Sequence, residues 1–565
     1  GCGACVVFLS KYNSRTKETE EFSISSCLTL LGSIDGCSIT TSEGLGNCRD
    51  GYHVIHKRIA GFHASQCGYC TPGWCMSLYG ALRRAEAKGA HDRRDGFSNL
   101  SVLEAEKAIA GNLCRCTGYR PIADMCKSFA GDVDLEDLGL NSFWKKNELP
   151  DPNQLPRYNP TAVDSNSKLC SHDCEESRTL GLNFAYKDEF DGEERVWVRP
   201  SNLEEIWSTL AKSVQENVEP KLVVGNTSAG IYKDITPRVM VDISSIPELQ
   251  IIKRHDFGIE VGAAVTIAKL IEVLDDTNAI KDDVVKGIYT GNLVFRGIAN
   301  HLKKVASGFI RNTASVGGNL IMAQKLSFDS DVATVLLGTG ASVKIISTNR
   351  LESVLTMEEF LDKPCLDSEA LLISVCIPYW NEVSNHSDIN GYEKLCFKTY
   401  RAAPRPLGNA VSYVNAAFLV QISPNKTQGY QVAKSLRLAF GAFGVRHAIR
   451  ATSVEEFLVG KVISPAILLE AIEMLRGYII PREGTPKSAY RQSVAVGFLF
   501  DFFAPFVKDV VPPCIVDSVE AAPNIGKWSS KSKSLTLGKQ AMEFHDEYNP
   551  VGEPSQKVSA ELQAS

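Results

Sequence analysis

Alternation of hydrophobic and polar residues marks the first part of the chain as β-rich. Between Glu20 and Asp50, short runs such as Glu21-Phe-Ser-Ile and Gly36-Cys-Ser-Ile-Thr-Thr are separated by turns that contain glycine. Runs of this kind are typical of short strands. The pattern predicts a small β-rich domain.

A helical pattern begins near Cys67. Trp74, Leu78, Ala81 and Leu82 recur at helical spacing. Further on, Ser101-Val-Leu-Glu104 has the form of a capping box, in which the serine and glutamate side chains satisfy the first N–H groups of a helix. A compact helical domain is therefore expected after the β-rich one.

The next stretch has the composition of a linker. Pro150, Pro152, Pro156 and Pro160 lie among many Asn and Ser residues without sustained periodicity. After it, Ser201 with Glu204 predicts another capped helix. Strands and helices then alternate to about Pro378, which indicates a mixed α+β domain.

A second α+β block is predicted from about residue 391 to residue 511. It contains the β-like run Ser435-Leu-Arg-Leu-Ala-Phe and a helical run from Ser464 to Leu475. The polar last residues, up to Ser565, have no closing element. We expect another domain to follow them, and an upstream start, because Gly1 stands where an initiator methionine is expected.

Composition narrows the classes of function. The 565 residues include 60 basic and 66 acidic side chains, a net charge of −6, with 44% hydrophobic and 22% charged residues. This balance is that of an ordinary globular protein and argues against a nucleic-acid surface. The longest apolar run, 494–507, is broken by Asp501 and Pro505, so no membrane span is predicted.

Cysteine is the informative residue type. Most of the 17 cysteines lie in the first 126 residues, and the chain carries no secretory signal pattern. Bunched cysteines in such a chain favour metal ligation over disulfides and a cytoplasmic location. We interpret Cys37, Cys48, Cys75 and Cys126 as small, buried hydrophobic residues, and the Cys170 to Cys174 pair as part of a solvated loop.

The first candidate cluster is formed by Cys2, Cys5 and Cys27. The C-x2-C pair followed by a distant cysteine fits three of the four ligands of a plant-type [2Fe-2S] site, C-x4-C-x2-C then Cys. The missing ligand would precede Cys2 by five residues. Half of a zinc site or a pair of small core cysteines are the alternatives.

The second candidate cluster is complete. Cys67-x2-Cys70 and Cys114-x-Cys116 supply four thiolates. Pro72 stands where a helix can begin, so the helix dipole is expected to favour anionic sulfur there. Cys114 is expected to open a second such segment, and a four-cysteine zinc site is the alternative.

Two glycine-containing stretches are candidate loops for a dinucleotide. Leu222-Val-Val-Gly-Asn-Thr-Ser-Ala-Gly230 reads as a strand that runs into a loop, and Ala314-Ser-Val-Gly-Gly-Asn319 as a second loop after a helical run from His301 to Phe309. Glycine lets backbone N–H groups approach a pyrophosphate. In isolation, a simple glycine turn is the favoured interpretation of each, and no Rossmann G-x-G-x-x-G motif is present.

Together, the motifs G-C-G-A-C, Q-C-G-x-C-T-P-G and G-N-L-C-R-C-T-G-Y-R-P-I resemble the xanthine dehydrogenase and aldehyde oxidase family over essentially the whole chain. The segments 399–409 and 129–140 are similar to the plant aldehyde oxidase branch. The resemblance implies a multidomain α+β fold: a β-grasp ferredoxin-like domain, a four-helix [2Fe-2S] domain, a two-subdomain FAD-binding domain and a flavoprotein C-terminal subdomain. The expected boundaries are 1–51, 52–130, a linker at 131–185, 186–380, 390–515, and 516–565 for the linker and the start of a molybdopterin domain.

The resemblance also implies the ligands. It assigns two [2Fe-2S] clusters to Cys2, Cys5, Cys27 and to Cys67, Cys70, Cys114, Cys116. It assigns FAD to Leu222, Val223, Val224, Gly225, Asn226, Thr227, Ser228, Ala229, Gly230, Ser315, Val316, Gly317, Gly318, Asn319 and Asp331. No residue of this chain is expected to be catalytic at the substrate.

The implied activity is that of the electron-transfer half of an aldehyde oxidase. Such an enzyme oxidises aldehydes to carboxylic acids with water and O2 and gives H2O2, while the molybdenum domain lies outside this chain. We therefore expect the chain alone to oxidise no aldehyde, and the full-length protein to be a homodimer. The alternatives are an NAD-using xanthine dehydrogenase type, a stand-alone iron–sulfur and flavin carrier subunit, and a zinc-stabilised interaction protein.

Overall fold

The computed structural model describes residues 1–13, 16–89, 94–144, 150–160, 183–187, 192–233, 237–275, 292–364, 366, 370–380, 394–405, 408–424, 430–507, 546–548 and 555–565. Buried side chains in these ranges form three hydrophobic cores. The Cys170 to Cys174 pair lies outside the described residues.

A small antiparallel sheet opens the chain, as predicted. Its strands are β1 (Val6–Asn13), β2 (Glu18–Ser25) and β3 (Ser38–Thr40), in the order β2-β1-β3. The short helix α1 (Ser42–Leu45) follows. Phe8 of β1 is buried and meets the ring of Tyr79 at 4.9 Å, so the sheet shares a core with the helices that come next.

The predicted helical domain contains four helices in its described residues, 52–89 and 94–130. They are α2 (Val54–Gly61), α3 (Thr71–Ala87), α4 (Val102–Ala108) and α5 (Arg120–Lys127). The capping box at Ser101 and Glu104 is confirmed, and Cys70 is the N-cap of α3.

The expected helix start at Cys114 is wrong. Helix α5 begins only at Arg120, because Gly118 and Tyr119 both have φ near +72° and hold the chain out of a right-handed helix. Cys114 and Cys116 therefore lie in the loop before α5, and one helix start, that of α3, adjoins the thiols.

The predicted linker at 131–185 also differs from the structure in its first part. Leu135, Leu155 and Tyr158 are buried in the core of the helical domain. The guanidinium of Arg58 on α2 donates to the carbonyl oxygens of Pro156, Ser128 and Gly96, which ties this segment down. Isolated apolar residues without periodicity fill gaps between helices here, so periodicity alone could not detect them.

Two sheets build the region that follows. The first has the order β4-β5-β7-β6, with strands β4 (Asn183–Lys187), β5 (Glu194–Val198), β6 (Lys221–Val223) and β7 (Val239–Asp242). The strands β5, β7 and β6 are parallel, and β4 is antiparallel to β5.

The second sheet is antiparallel, in the order β11-β10-β12-β9-β8. Its strands are β8 (Ile252–His255), β9 (Gly258–Gly262), β10 (Ser342–Ser347), β11 (Glu352–Thr356) and β12 (Ala370–Pro378).

Within the described parts of residues 192–380, seven helices accompany these two sheets. They are α6 (Leu203–Gln215), α7 (Ile267–Asp275), α8 (Asn292–Leu302), α9 (Gly308–Arg311), α10 (Val316–Leu326), α11 (Asp331–Thr339) and α12 (Met357–Asp362). The N-cap of α6 is Asn202, one residue after the predicted Ser201. The Asn202 side chain accepts from the Glu205 N–H, while the Glu205 carboxylate accepts from the Ser201 N–H.

Two further expectations in this region are corrected. The run from His301 to Phe309 is the end of α8, a break and the start of α9, because Ala306 has φ of +51°. The stretch Ala314 to Asn319 is the first turn of α10, with Ser315 as N-cap, rather than a loop.

The last block is the predicted second α+β unit. Its sheet has the order β13-β14-β15-β16, with strands β13 (Lys394–Ala402), β14 (Val414–Pro424), β15 (Tyr430–Gly441) and β16 (Ile449–Arg450). The helices are α13 (Thr452–Leu458), α14 (Pro465–Tyr478) and α15 (Ser488–Val507), and α16 (Ala560–Ala564) lies near the end of the chain. Ser464 caps α14 as its position suggests. None of the helices in the described ranges has the length and apolar character needed to cross a bilayer.

Candidate cofactor sites

Four thiols of the second predicted cluster converge beside the start of α3. Cys116 Sγ lies 3.7 Å from Cys67 Sγ and 3.8 Å from Cys114 Sγ. Two thiolates on one tetrahedral metal with bonds of about 2.3 Å are about 3.8 Å apart. Cys70, the fourth, interacts electrostatically with Cys114 and Cys67.

Their surroundings shift the pKa values of the Cys70 and Cys114 thiols in opposite directions. Burial, with a smaller contribution from Cys114, raises the pKa of Cys70 to about 11. Burial also acts to raise the pKa of Cys114, but hydrogen bonds from the hydroxyl and N–H of Thr117 outweigh it and lower that pKa to about 7. Cys114 is thus a ready thiolate near neutral pH.

The residue types fit an iron–sulfur cluster. The thirteen cysteines in the described ranges are all free of disulfides. In those same ranges, no three His, Cys, Asp or Glu side chains form a group with the geometry of a single metal-ion site. The fit of a [2Fe-2S] unit therefore rests on four convergent thiols and their hydrogen-bond donors, not on preformed ligand geometry.

Two of the three first-cluster cysteines are brought together by Ser25. The Ser25 hydroxyl lies 3.2 Å from Cys5 Sγ and 3.6 Å from Cys27 Sγ. Burial raises the pKa of Cys27, whereas hydrogen bonds led by that from Ser25 overcome burial and lower the pKa of Cys5. Cys2 is exposed, in the same N-terminal turn.

The loops of the two clusters are in direct contact. The Leu113 N–H, next to Cys114, donates to the carbonyl oxygen of Cys2 at 2.8 Å. Asn112 donates from its side chain to the Gly3 carbonyl at 3.0 Å. Cys2 of the first predicted cluster is thus linked by one main-chain hydrogen bond to Leu113, which directly precedes Cys114 of the second predicted cluster.

A cavity of about 480 Å³ lies where the predicted FAD stretches meet. Of the predicted residues, those that line it are Leu222, Val223, Val224, Gly225, Asn226, Thr227, Ser228, Ser315, Gly317, Gly318 and Asn319. Ala229, Gly230, Val316 and Asp331 do not line it. The two separated stretches are therefore brought to one site.

The first stretch offers hydrogen-bond donors to that cavity. Asn226 has φ of +52°, and within the described ranges the backbone N–H groups of 225–228 donate to no protein acceptor. Successive N–H groups around a left-handed residue form an anion-binding nest. A Cβ on Gly225 would lie 2.1 Å from the Thr313 carbonyl oxygen, so glycine is required there. This turn fits a pyrophosphate.

The second stretch has a different role from the one expected. The N–H groups of Val316 and Gly317 donate to the carbonyl oxygens of Val265 and Ala263, and that of Gly318 to Ser315 Oγ. A Cβ on Gly317 would lie 2.7 Å from Ala263. Gly317 thus allows close packing at the cavity wall, while the free hydrogen-bond donors come from the first stretch.

Two lysines that the sequence motifs did not identify line the cavity. Lys221 donates to Asn226 Oδ1 at 3.0 Å, and burial lowers its pKa. Lys325 on α10 pairs with Glu219. Both ammonium groups suit a dianionic pyrophosphate. The available signal for Lys221 was a positive residue directly before the predicted stretch that begins at Leu222. Lys325 gave no signal, because it reaches the cavity through tertiary packing.

The same turn also joins the cavity to the cysteines of the first predicted cluster. Asn226 Nδ2 donates to the Leu28 carbonyl oxygen at 3.2 Å, and Leu28 follows Cys27 directly. A Cβ atom on Gly230 would lie 3.5 Å from both methyl groups of Leu28, so the backbone of Gly230 lies close to the Leu28 side chain.

Asp331 lies in a buried polar cluster away from this cavity. Its carboxylate accepts from His301 Nε2 at 3.0 Å, from the Ser412 hydroxyl at 3.0 Å and from Arg401 Nε at 3.3 Å. Burial opposes ionisation, but the His301 hydrogen bond and the charges around it hold the pKa of Asp331 below its usual value. The cluster joins α8 and α11 to β13.

Comparison with known families agrees with the order of these sites. Residues 41–127 match a [2Fe-2S] binding domain, residues 188–380 match the FAD binding domain in molybdopterin dehydrogenase, and residues 398–506 match the CO dehydrogenase flavoprotein C-terminal domain. The four second-cluster cysteines fall in the first range and the flavin cavity in the second.

Curated relatives match the entire chain. A putative aldehyde oxidase-like protein of Oryza sativa subsp. japonica is 48% identical over 100% of this chain, and probable aldehyde oxidase 4 of the same plant is 46% identical over 100% of it. The chain belongs to the aldehyde oxidase type of molybdenum hydroxylases. It spans 41% and 66% of the length of these two aldehyde oxidases.

Among solved structures, quinoline 2-oxidoreductase from Pseudomonas putida 86 aligns over 55% of this aldehyde oxidase-type chain and 96% of its own. The identity is 21% and the TM-score is 0.42.

Proposed function

We propose that this chain is the electron-transfer portion of an aldehyde oxidase and carries electrons through two [2Fe-2S] clusters to FAD. The observation that carries the proposal is the continuity of the three sites. Leu113 bonds to Cys2 between the cluster loops, and Asn226 bonds to Leu28 between the first cluster and the flavin cavity. Three redox centres in such contact fit a relay.

The residues have distinct roles in this proposal. Cys67, Cys70, Cys114 and Cys116 hold one cluster, and Cys2, Cys5 and Cys27 contribute to the other. The N–H groups of 225–228 and the ammonium of Lys221 bind the FAD pyrophosphate. When bound, the clusters accept and release single electrons, and FAD converts these to two-electron chemistry.

The parent reaction is proposed from the family. An aldehyde and water give a carboxylic acid, two protons and two electrons, and O2 takes up both protons and both electrons to give H2O2. This chain is proposed to carry the two electrons and to leave aldehyde oxidation to a molybdopterin-binding part. The homodimeric state and the cytoplasmic location of the parent enzyme remain predictions.

Cofactor analysis of the purified chain tests the proposal. At least about two iron and two sulfide per FAD are expected from the complete second cluster, with the absorption of [2Fe-2S] centres and flavin. Zinc without iron would contradict the relay and favour a zinc-stabilised scaffold. Aldehyde-dependent dye reduction by this chain alone would contradict the proposed division of labour.

A further inference from the structure

We propose that residues 555–565, which we name the C-terminal clamp, hold the Cys67–Cys70 loop and adjust the midpoint potential of the second cluster, with Lys557 and Gln563 as positioning residues. The proposal rests on the proposed function for the presence of that cluster. The contacts of the clamp belong to neither the FAD site nor the cluster ligands.

Helix α16 of the clamp is seated against α2 and α3. Ala560 and Ala564 are 1% and 0% exposed. The Ala564 carbonyl oxygen accepts from the Ser42 hydroxyl at 2.5 Å and from the Cys75 thiol at 3.3 Å. Small side chains allow this close approach, so the clamp is docked by packing and by buried hydrogen bonds together.

Gln563 lies directly on the turn between two cluster ligands. A Cβ on Gly68 would be 2.8 Å from the Gln563 side-chain carbonyl carbon, and Gly68 has φ of +84°. Gln563 Oε1 accepts from the Ser65 hydroxyl at 3.0 Å and from Lys557 Nζ at 2.7 Å. Glycine at 68 thus serves two needs: its left-handed conformation and the space that Gln563 occupies.

Lys557 places a positive charge one residue from a cluster thiolate. Its ammonium group donates to the carbonyl oxygen of Gln66, which precedes Cys67. Cys67 is itself exposed, and the hydrogen bond to Gln66 holds the ammonium group beside this solvent-facing part of the cluster loop. Because reduction adds a negative charge to the cluster, a fixed nearby cation stabilises the reduced form.

The effect of the charge is tested by a potentiometric titration of the full chain, followed by the EPR signal of the second cluster. That signal is identified as the one missing from Cys114→Ser. Lys557→Gln is expected to lower the ratio of reduced to oxidised cluster about threefold at a fixed potential, and Lys557→Arg to keep it. The control Lys212→Gln removes an exposed lysine from α6 and is expected to leave the ratio unchanged.

The ordering effect is tested separately by hydrogen exchange of the backbone amides of 65–71. Gln563→Ala is expected to speed exchange there, and Gln563→Glu, which keeps the acceptor oxygens, to restore protection. Leu562→Ala, at a position 59% exposed on the same helix, is the control.

These experiments distinguish a failure of the proposed function from a failure of the proposed role of the C-terminal clamp. Absence of iron from the unsubstituted chain would contradict the proposed function itself. Iron present, with the same potential in Lys557→Gln and unsubstituted protein, would overturn the role of the clamp in setting the potential. Unchanged exchange in Gln563→Ala would overturn its role in holding the loop.

Discussion

The side-chain amide of Asn226 donates a hydrogen bond to the main-chain carbonyl of Leu28 at 3.2 Å. The donor belongs to the turn that fits the FAD pyrophosphate, and the acceptor follows Cys27. These two residues are 198 positions apart in the chain, and their contact joins the proposed flavin site to the first cluster.

Loss of this contact is expected to slow electron transfer. Asn226→Gly keeps the left-handed conformation but removes the amide, so the two loops lose a hydrogen bond worth about 1 kcal/mol. We predict an approximately fivefold slower transfer from photoreduced FAD to the clusters, measured by flash photolysis. Bound FAD is quantified in the same samples.

The control for this substitution is Asn217→Gly. Asn217 also has a positive φ, of 51°, and it is exposed just after the end of α6. An equal slowing in both variants would show that backbone freedom, rather than the Leu28 contact, is responsible.

The second cluster is expected to depend on Cys114. In Cys114→Ser, a hydroxyl replaces the thiol whose pKa is lowered to about 7 by Thr117. We predict the loss of about two iron atoms per chain, since a [2Fe-2S] unit is held by four thiolates. Iron analysis and EPR measure the loss. Cys48→Ser, at an exposed cysteine outside both clusters, should retain full iron, and parallel loss there would argue against the assigned ligand set.

Gly225 is predicted to be intolerant of a side chain. In Gly225→Ala, the new methyl group would collide with the Thr313 carbonyl, at a cost of about 1–3 kcal/mol, and displace the turn that we propose binds FAD. The expected result is a chain with little flavin, seen by absorbance, and a lower melting temperature.

Gly477→Ala is the matched control, and it is expected to have the opposite effect on stability. Gly477 lies in α14, and a Cβ there would meet nothing within 4 Å. Gly477→Ala should retain FAD and gain about 0.5–1 kcal/mol from helix propensity. Normal flavin content in Gly225→Ala would refute the assigned role of the turn.

Neutralising Asp331 and neutralising Asp329 should have different effects on the free energy of unfolding. Asp331 is buried with His301, Arg401 and Ser412, and its pKa is held below its usual value, so its ionised form supports folding. Burial raises the pKa of Asp329, so its ionised form opposes folding. Asp331→Asn should cost about 3 kcal/mol, whereas Asp329→Asn should be neutral or stabilising.

The pH dependence follows from these directions. The contribution of Asp331 is fully present above its unfolded pKa, about 3.9, and is lost as pH falls through its lower folded pKa. Ionisation of Asp329 lowers the free energy of unfolding as pH rises from the unfolded pKa of this carboxyl group through its raised folded pKa. Urea midpoints of the three chains between pH 3 and 7, followed by tryptophan fluorescence, measure both effects; a similar loss in both variants would contradict the assignment.

Local spacing is enough to predict several helix starts and to single out the candidate cluster ligands. Cys67 and Cys70 are three residues apart at the N-cap of α3, and Ser101 and Glu104 form their capping box within a single turn. Such features depend on neighbouring residues, so the sequence displays them directly. The candidate flavin stretches are recognisable for the same reason.

Features that depend on distant contacts cannot be predicted in this way. The spacing around Gly317 predicts a loop, but the missing side chain of this glycine serves packing on Ala263. The composition around Leu155 predicts a linker, yet Leu155 is buried against the helical domain. The docking of Gln563 on Gly68 joins two distant parts of the chain, and no local pattern encodes it.

Electrons are proposed to pass between FAD and the iron–sulfur clusters within this chain. The decisive measurement is photoreduction of FAD in the purified full chain, followed by freeze-quench EPR. We expect the flavin signal to decay as the signal of a reduced [2Fe-2S] cluster appears, and Cys114→Ser to lack the second-cluster component. Reduced flavin that persists beside oxidised clusters would show that this transfer does not occur.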